Sequence, residues 1–423
     1  MRNTSIWSGM LGLENTVVEA VELDEAAGTI VARVRVGKGA RLRCGRCLRH
    51  SARYDRGSGR RRWRHLDAGS MKVEIEAEAP RVECRDCGVN VAHVPWARQG
   101  AGHSYDFDQQ VAWHATHTSK SATAQLMRIA WRTVGAIVTR YWADVEDVFD
   151  RFEGITRIGI DEISYKKGHK YLTIAVCHDT GRLLWAAPGR DTETLAEFFE
   201  ILGPGRCGAI TLVSADAAPW IAKAVAEHCP NAVQCADAFH VVAWATDALD
   251  EVRRQAWNSA AGRIRGLRAH RGASGQAQTL KNARYALWKN PENLTENQHA
   301  KLDWIAKTDP RLYRAYLLKE GLRHVFKVKG DEGRAALDKW LSWAVRCRIP
   351  AFTDLAKKIK RYRGPIDATL EYALSNALIE STNTKIRVIT RMAFGFADPS
   401  ALVALAMLSL GGYRPTLPGR ART

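Results

Sequence analysis

Residues 157–189 read RIGIDEISYKKGHKYLTIAVCHDTGRLLWAAPG. Three short apolar runs (RIGIDEISY, KYLTIAVCHD and RLLWAAPG) are separated by KKGH and DTG, turn sequences with a glycine at the hinge. They predict an antiparallel meander. Past it, TETLAEFFEIL (192–202) is amphipathic at helical spacing, and Thr192 or Thr194 can cap it. AITLVSAD (209–216) is a continuous apolar strand suited to a sheet buried on both faces. APWIAKAVAEHC, AVQCAD and AFHVVAWATDALDEVRR then give helix, strand and helix. The order β-β-β-α-β-α-β-α predicts an α/β fold, a ribonuclease H-like mixed sheet whose first and fourth strands lie side by side and parallel.

That topology brings Asp161, in the first strand, and Asp216, at the end of the fourth, to one edge of the sheet. A third acid, Glu380, lies 164 residues beyond Asp216 in IDATLEYALSNALIESTNTKIRVITRMA, read as one final helical run from Ile366. Asn376, Glu380, Asn383, Arg387 and Arg391 recur there at helical spacing and form a polar stripe. Three carboxylates from a sheet and a helix suit two divalent metal ions, Mg²⁺ with Mn²⁺ as an alternative. One ion of such a pair lowers the pKa of a water or a 3′-hydroxyl for attack, and the other stabilises the leaving oxygen. Asp237 also ends a strand and rivals Asp216, or supports the ligands from behind; Glu162 and Glu371 are further rivals. Glu162 points to the face opposite Asp161 on a strand. His240, on the apolar FHVVAW, reads as a packed or hydrogen-bonded core histidine. Residues 246–370, basic and mostly helical, read as an insertion before the last helix. Trp257, Trp288, Trp304, Trp340 and Trp343 are expected mostly in its core, with one of them able to stack on a flipped base.

The N-terminal third reads differently. TVVEAVELD and GTIVARVRVG alternate around a turn at Ala26–Gly28 and predict a hairpin. Cys44 and Cys47 follow. A second hairpin-like stretch, MKVEIEAEAPRVEC, leads into Cys84 and Cys87. Each CxxC pair sits in a glycine-bearing turn after a strand, as in a zinc ribbon, where four thiolates satisfy a structural Zn²⁺. The 36 residues between the pairs exceed the usual spacing, and His65 or His93 is an alternative ligand. Residues 41–64 hold ten arginines and one acid, Asp55. Arg60, Arg61, Arg62 and Arg64, with Trp63 among them, read as phosphate contacts. Residues 106–143 read as three helices in a helix-turn-helix, the last starting Trp131-Arg132-Thr133. Arg132, Thr133 and Arg140 are its candidate DNA contacts, as Lys385, Arg387 and Arg391 are on the last helix.

Composition agrees. The 423 residues carry 63 Lys and Arg against 45 Asp and Glu, a net charge of +18, which favours a polyanionic partner. No apolar run reaches the roughly 20 residues of a membrane span, and the N-terminus carries no signal-peptide pattern. Nine cysteines, four of them in CxxC pairs, suit a reducing cytoplasm rather than a disulfide scaffold. The expected organisation is an N-terminal β region with a zinc-ribbon-like finger (1–100), a helix-turn-helix (104–150), the first part of the core (155–245), a basic helical insertion (246–368), a C-terminal catalytic helix region (369–412) and a tail (413–423).

Over nearly its whole length the chain resembles the ISL-three family of bacterial insertion-sequence transposases. The resemblance is carried by CGRC, YDRGSGRRRWRHLD and PRVECRDCGVNVAHVPWA in the N-terminal region, and by residues 158–199, VSADAAPWIAKAV, CADAFHVV and ALDEVRR in the core. SNALIESTNTKIRVITRMAFGF carries it at the C-terminal end. It implies a zinc finger, a helix-turn-helix and a catalytic core of the Asp-Asp-Glu class, with Asp161 in GIDE, Asp216 in SADA and Glu380 in IESTN. Ala238 and Ser381 depart from the family pattern without removing a carboxylate. The implied function is metal-dependent cleavage and strand transfer of double-stranded DNA, at terminal inverted repeats and target. The implied assembly is a homodimer or larger, cytoplasmic and nucleoid-associated when on DNA. A catalytically degenerate, sequence-specific DNA-binding protein is the alternative, and a nuclease or resolvase without strand transfer is a third class.

Overall fold

The structure, a computed structural model, describes residues 3–266, 277–374 and 376–420. It contains two compact units: residues 150–390 form one, and the residues before 150 join those from 391 onward in the other.

In the first unit, helix α1 (Asn3–Leu11) precedes strands β1 (Thr16–Asp24) and β2 (Thr29–Val36), which pair antiparallel about the expected turn. β3 (Ala52–Asp55), β4 (Arg60–Ala68), β5 (Met71–Glu78), β6 (Arg81–Cys84) and β7 (Gly88–Val91) complete two sheets, β1-β2-β5-β4 and β3-β6-β7. MKVEIEAEAPRVEC is therefore not a hairpin. Its halves, β5 and β6, go to different sheets, and the partner of β5 is the arginine run itself. The physical reason is a matched alternation. Trp63 and His65 of β4 turn inward, while Arg60 and Arg62 meet Glu74 and Glu76 of β5. The long gap between the cysteine pairs is filled by this β4–β5 hairpin.

Helices α2 (Tyr105–His117), α3 (Lys120–Leu126) and α4 (Trp131–Val148) form the expected trio. Ser104 and Ser119 cap the first two by accepting the N–H groups of Phe107 and Ala122. Val134, Ile137 and Val138 of α4 are buried as their spacing predicts. The apolar helix Pro399–Leu410 packs on α4. The division between units therefore falls inside the region 369–412 expected as a single C-terminal segment.

The second unit holds a five-stranded sheet of β8 (Arg157–Lys166), β9 (Lys170–Cys177), β10 (Leu183–Pro188), β11 (Leu212–Ala215) and β12 (Val233–Ala236), in the order β10-β9-β8-β11-β12. β8, β9 and β10 are an antiparallel meander, and β11 runs parallel to both β8 and β12. Ile158, Ile160, Phe198, Phe199 and Val213 bury the core of this sheet. A long helix, Ala238–Gly266, then carries the chain without a break from the sheet into the helical block. That block has its own apolar core around Leu249, Leu318, Leu322, Trp340 and Phe352. The buried Trp340 indole donates to the Leu318 carbonyl at 2.7 Å, and Trp257, Trp288 and Trp304 pack half-buried against the same core. The tryptophans are structural, apart from the more exposed Trp343.

The final helical run is not continuous. It ends at Tyr372, Ala373 takes φ +51°, and a separate helix spans Ala377–Met392. Ala373 in the left-handed region stops the first helix, so Glu371 and Glu380 sit on different helices. Nor is the expected polar stripe a single face: Asn383 is buried, while Glu380, Arg387 and Arg391 are exposed. Among the described residues, no helix is long and apolar enough to cross a membrane.

Candidate functional site

Three parallel neighbours, β8, β11 and β12, align Ile160 with Ala215 and Ala215 with Ala236. The next residue on each strand is an acid: Asp161, Asp216 and Asp237. Register alone therefore sets three acids in one row across the sheet, Asp161 within β8 and Asp216 and Asp237 directly after β11 and β12.

Asp161 is held on both oxygens. Oδ1 accepts the Glu162 N–H at 2.7 Å, and Oδ2 accepts the Asn383 Nδ2 amide at 2.6 Å. Burial raises its carboxyl to about 6; the two hydrogen bonds oppose the rise and the nearby Asp216 carboxylate adds to it. His240 Nδ1 lies 2.5 Å from Asp216 Oδ1 and 2.7 Å from Asp237 Oδ2. Hydrogen bonds to Asp216 and Asp237, against its burial, push this imidazole up to about 10. Asp237 is itself buried, and its Oδ1 accepts the Phe239 N–H at 2.9 Å. Asp216, Asp237 and His240 present ligand atoms within 4.8 Å of one another, close enough to share a cation. Glu162 is paired with Arg190, and Glu371 with Arg334 at 3.0 Å. Glu380 is exposed in the first turn of the Ala377–Met392 helix, three residues before Asn383. The structure joins Asn383, rather than Glu380, directly to Asp161.

The second cluster is Cys44, Cys47, Cys84 and Cys87, whose sulfurs also lie within 4.8 Å of one another. Cys47 and Cys84 approach to 3.6 Å, and the Asn90 amide donates to Cys44 Sγ at 3.3 Å. Burial would raise the Cys44 thiol, but the N–H groups of Cys47 and Arg46 and the Asn90 amide outweigh it and bring it down to about 6. Four convergent sulfurs fit tetrahedral zinc. The histidine alternatives fall away: the His65 ring bonds the Ser104 hydroxyl at 2.8 Å, and neither His65 nor His93 joins the cluster.

The comparisons with known proteins follow the same order along the chain. A zinc-finger family model of transposases IS204, IS1001, IS1096 and IS1165 matches residues 40–87. A model of the helix-turn-helix domain of transposase family ISL3 matches residues 92–142. A transposase model of that family covers residues 158–406, more than half of the chain. The chain belongs to the ISL3 family of transposases. It is 60% identical over 436 residues to the transposase for insertion sequence element IS1557 of Mycobacterium tuberculosis (strain H37Rv), covering 99% of this chain and 98% of that protein. The IS1557 transposase of strain CDC 1551 gives the same figures. The transposase for insertion sequence element IS1001 of Bordetella parapertussis is 28% identical over 342 residues, 80% of this chain and 81% of that one.

Several arginines expected to meet phosphate are otherwise engaged in this transposase. Arg140 donates to both oxygens of the fully buried Asp108, at 2.7 and 2.8 Å, and Arg98 completes the pair at 2.7 Å. Arg60 and Arg62 pair with glutamates of β5, and Arg64 pairs with Asp67 with its side chain only 11% exposed. Arg61 reaches the Ala101 carbonyl at 3.3 Å and lies over the Trp63 ring. Their charge stitches the first unit together. By contrast Arg132 is exposed and Thr133 half-buried in the first turn of α4, and Lys385, Arg387 and Arg391 are exposed.

Reading along the chain missed His240 as a site residue, because its apolar neighbours Phe239, Val241 and Val242 suggest a core helix. The available signal was the Asp237-x-x-His240 spacing at a helix start, which puts both side chains on one face. Asn383 was visible only as part of a polar stripe.

Proposed function

We propose that this transposase has a ribonuclease H-like core of the Asp-Asp-Glu class, binds the terminal inverted repeats of its element, cuts DNA at those ends and joins them to target DNA. The observation that carries the reading is the row Asp161, Asp216 and Asp237 along parallel β8, β11 and β12. The strand order supports the core assignment, since it is the order expected from sequence for that topology.

Asp161 and Asp216, with Glu380 from the Ala377–Met392 helix, would hold two divalent ions, Mg²⁺ or Mn²⁺. The donor set fits: the ligands are hard carboxylate oxygens, and Asp161 and Asp216 follow paired positions on adjacent parallel strands. Bound there, such ions make a water or 3′-hydroxyl a better nucleophile and stabilise the leaving oxygen. The chain's own residues do the positioning. Asn383 fixes the Asp161 carboxylate from the helix that also bears Glu380. His240 ties Asp216 to Asp237, orienting one acid through another. The four cysteines would hold a structural Zn²⁺, and α2–α4 would read the DNA end with Arg132 and Thr133 at the start of α4. Lys385, Arg387 and Arg391 would meet phosphate. Two ends must be paired, so the acting form is a homodimer or larger on DNA.

The test is a cleavage assay with full-length protein and duplexes carrying an element end and its flanking DNA, in Mg²⁺ and in chelator. Asp161→Asn, Asp216→Asn and Glu380→Gln are each expected to abolish cutting while end binding survives. Cutting that persists in one of these variants removes that residue from the ligand set. Wild-type protein that binds ends but never cuts in Mg²⁺ overturns the enzyme reading.

A further inference from the structure

We propose that the cavity beside the acid row receives an unpaired nucleobase of the element-end DNA, next to the phosphate to be cut; this rests on the transposase reading above. The cavity holds about 320 Å³ and is bounded by Asp237, Phe239, Phe326, Lys329, Asn376 and Glu380, among others. That is the small end of the range for ligand pockets, suited to a flat ring rather than to a helix or an extended chain.

The lining is divided by chemistry. Phe239 is 65% exposed although it stands two residues from the buried Asp237. Its backbone is anchored at the acid row. Its N–H is bonded to Asp237 Oδ1 at 2.9 Å, and its ring meets His240 edge-on at 5.9 Å between centroids. An aromatic ring on an anchored backbone at a polar site, with most of its surface in water, is a platform on which a base can stack. Phe326, half-buried at the end of the Pro310–Val328 helix, adds a second aromatic side chain to the lining. The Asn376 amide offers a donor and an acceptor, the pair a base edge requires.

Charge decides which part of a nucleotide enters. Asp237, which is not among the metal ligands assigned above, gives the cavity a carboxylate that accepts hydrogen bonds from an amino group. Lys329 is exposed and has φ +60°, in the left-handed region that lysine rarely adopts. It supplies the cation for the attached phosphate. The occupant is thus a base bearing an exocyclic amino group (adenine, cytosine or guanine), with its backbone toward Lys329. Because Asp237 belongs to the acid row, the base would lie beside the scissile phosphate. The tryptophans of the helical block line none of this cavity, so Phe239 takes the stacking role.

The experiment uses full-length protein and an element-end duplex in which a single abasic nucleotide is walked through the positions flanking the cut. Binding is measured in Ca²⁺ and cutting in Mg²⁺. On intact DNA, Phe239→Ala is expected to lose roughly ten-fold in binding, and Phe239→Trp to retain it. At one position the abasic sugar should erase the difference between wild type and Phe239→Ala. Circular dichroism and thermal unfolding check that the variant folds, which the exposure of Phe239 favours. Phe239→Ala binding and cutting as wild type overturns the pocket, as does a defect that is the same at every abasic position. Those results leave the transposase reading standing; wild-type protein that neither binds ends nor cuts in Mg²⁺ overturns both.

Discussion

Replacing Gly159 by alanine would put a methyl group where Ile379 already sits. The added Cβ would lie 2.1 Å from Ile379 Cδ1, 2.8 Å from its Cγ1 and 2.9 Å from His178 Nε2. Neither neighbour has room to retreat. Ile379 is fully buried, and the His178 ring is tied to the Ser214 hydroxyl at 2.7 Å. The strain must pass into the Ala377–Met392 helix, which carries both Glu380 and Asn383. Overpacking of this kind costs about 1–3 kcal/mol. The effect on the site is larger, because the Asn383 bond to Asp161 spans 2.6 Å and a shift of about 1 Å in the helix breaks it. Misplacement by that amount costs on the order of 100-fold in rate. Gly159→Ala should therefore lower the thermal midpoint modestly and cutting severely, with end binding retained. Ile379→Ala alone opens a cavity and costs about 2–5 kcal/mol. In the double variant the new methyl fills part of that cavity, so the loss in stability should fall short of the sum of the singles by at least about 1 kcal/mol. Strict additivity, or a Gly159→Ala protein as stable and active as wild type, refutes the claim that this glycine seats the helix.

Other consequences follow from the paired and unpaired charges. Asp108→Ala removes the carboxylate that Arg140 and Arg98 share, leaving Arg98 only Asp144, and should cost about 3–5 kcal/mol in unfolding experiments; a neutral result would mean water reaches the site. In DNA binding measured against salt, Arg132→Ala should reduce the slope by about 1, whereas Arg62→Ala, paired with Glu74 and Glu76, should leave it unchanged. Cys84→Ser should lower the zinc content of the purified chain and open residues 40–91 to proteolysis; unchanged zinc would remove this cysteine from the ligand set. Burial holds the His65 and His178 imidazoles down to about 4, so both are neutral in the fold while the unfolded chain takes up their protons near 6.5. Their stabilising contribution is complete above about 6.5 and declines as pH falls toward 4. His65→Gln should shrink the acid-induced drop in thermal midpoint, and an unaltered drop would show that His65 does not contribute to it.

Much of this was legible along the chain because it depends on local pattern. Alternation and glycine-bearing turns located β8, β9 and β10, helical spacing located α2–α4, and the CxxC pairs marked the finger. What escaped depends on partners distant in sequence. Nothing near Arg60–Arg64 shows that the run is a strand, since the glutamates that neutralise it lie on β5 and pair with it only when the sheet forms. The break at Ala373 is carried by an ordinary alanine in a left-handed conformation, which composition does not reveal. His240 looks like core until two parallel strands deliver Asp216 and Asp237 to the same nitrogen. The sequence by itself determined the order of elements, the basic character and the acids available, because these follow from residue type and period. Only the tertiary structure decided which acids stand in one row, which arginines pair with acids inside the fold and that Asn383 is the residue on Asp161. Register between strands far apart in the chain, and the competition of each charge for the nearest opposite charge, are settled only once the chain has closed on itself.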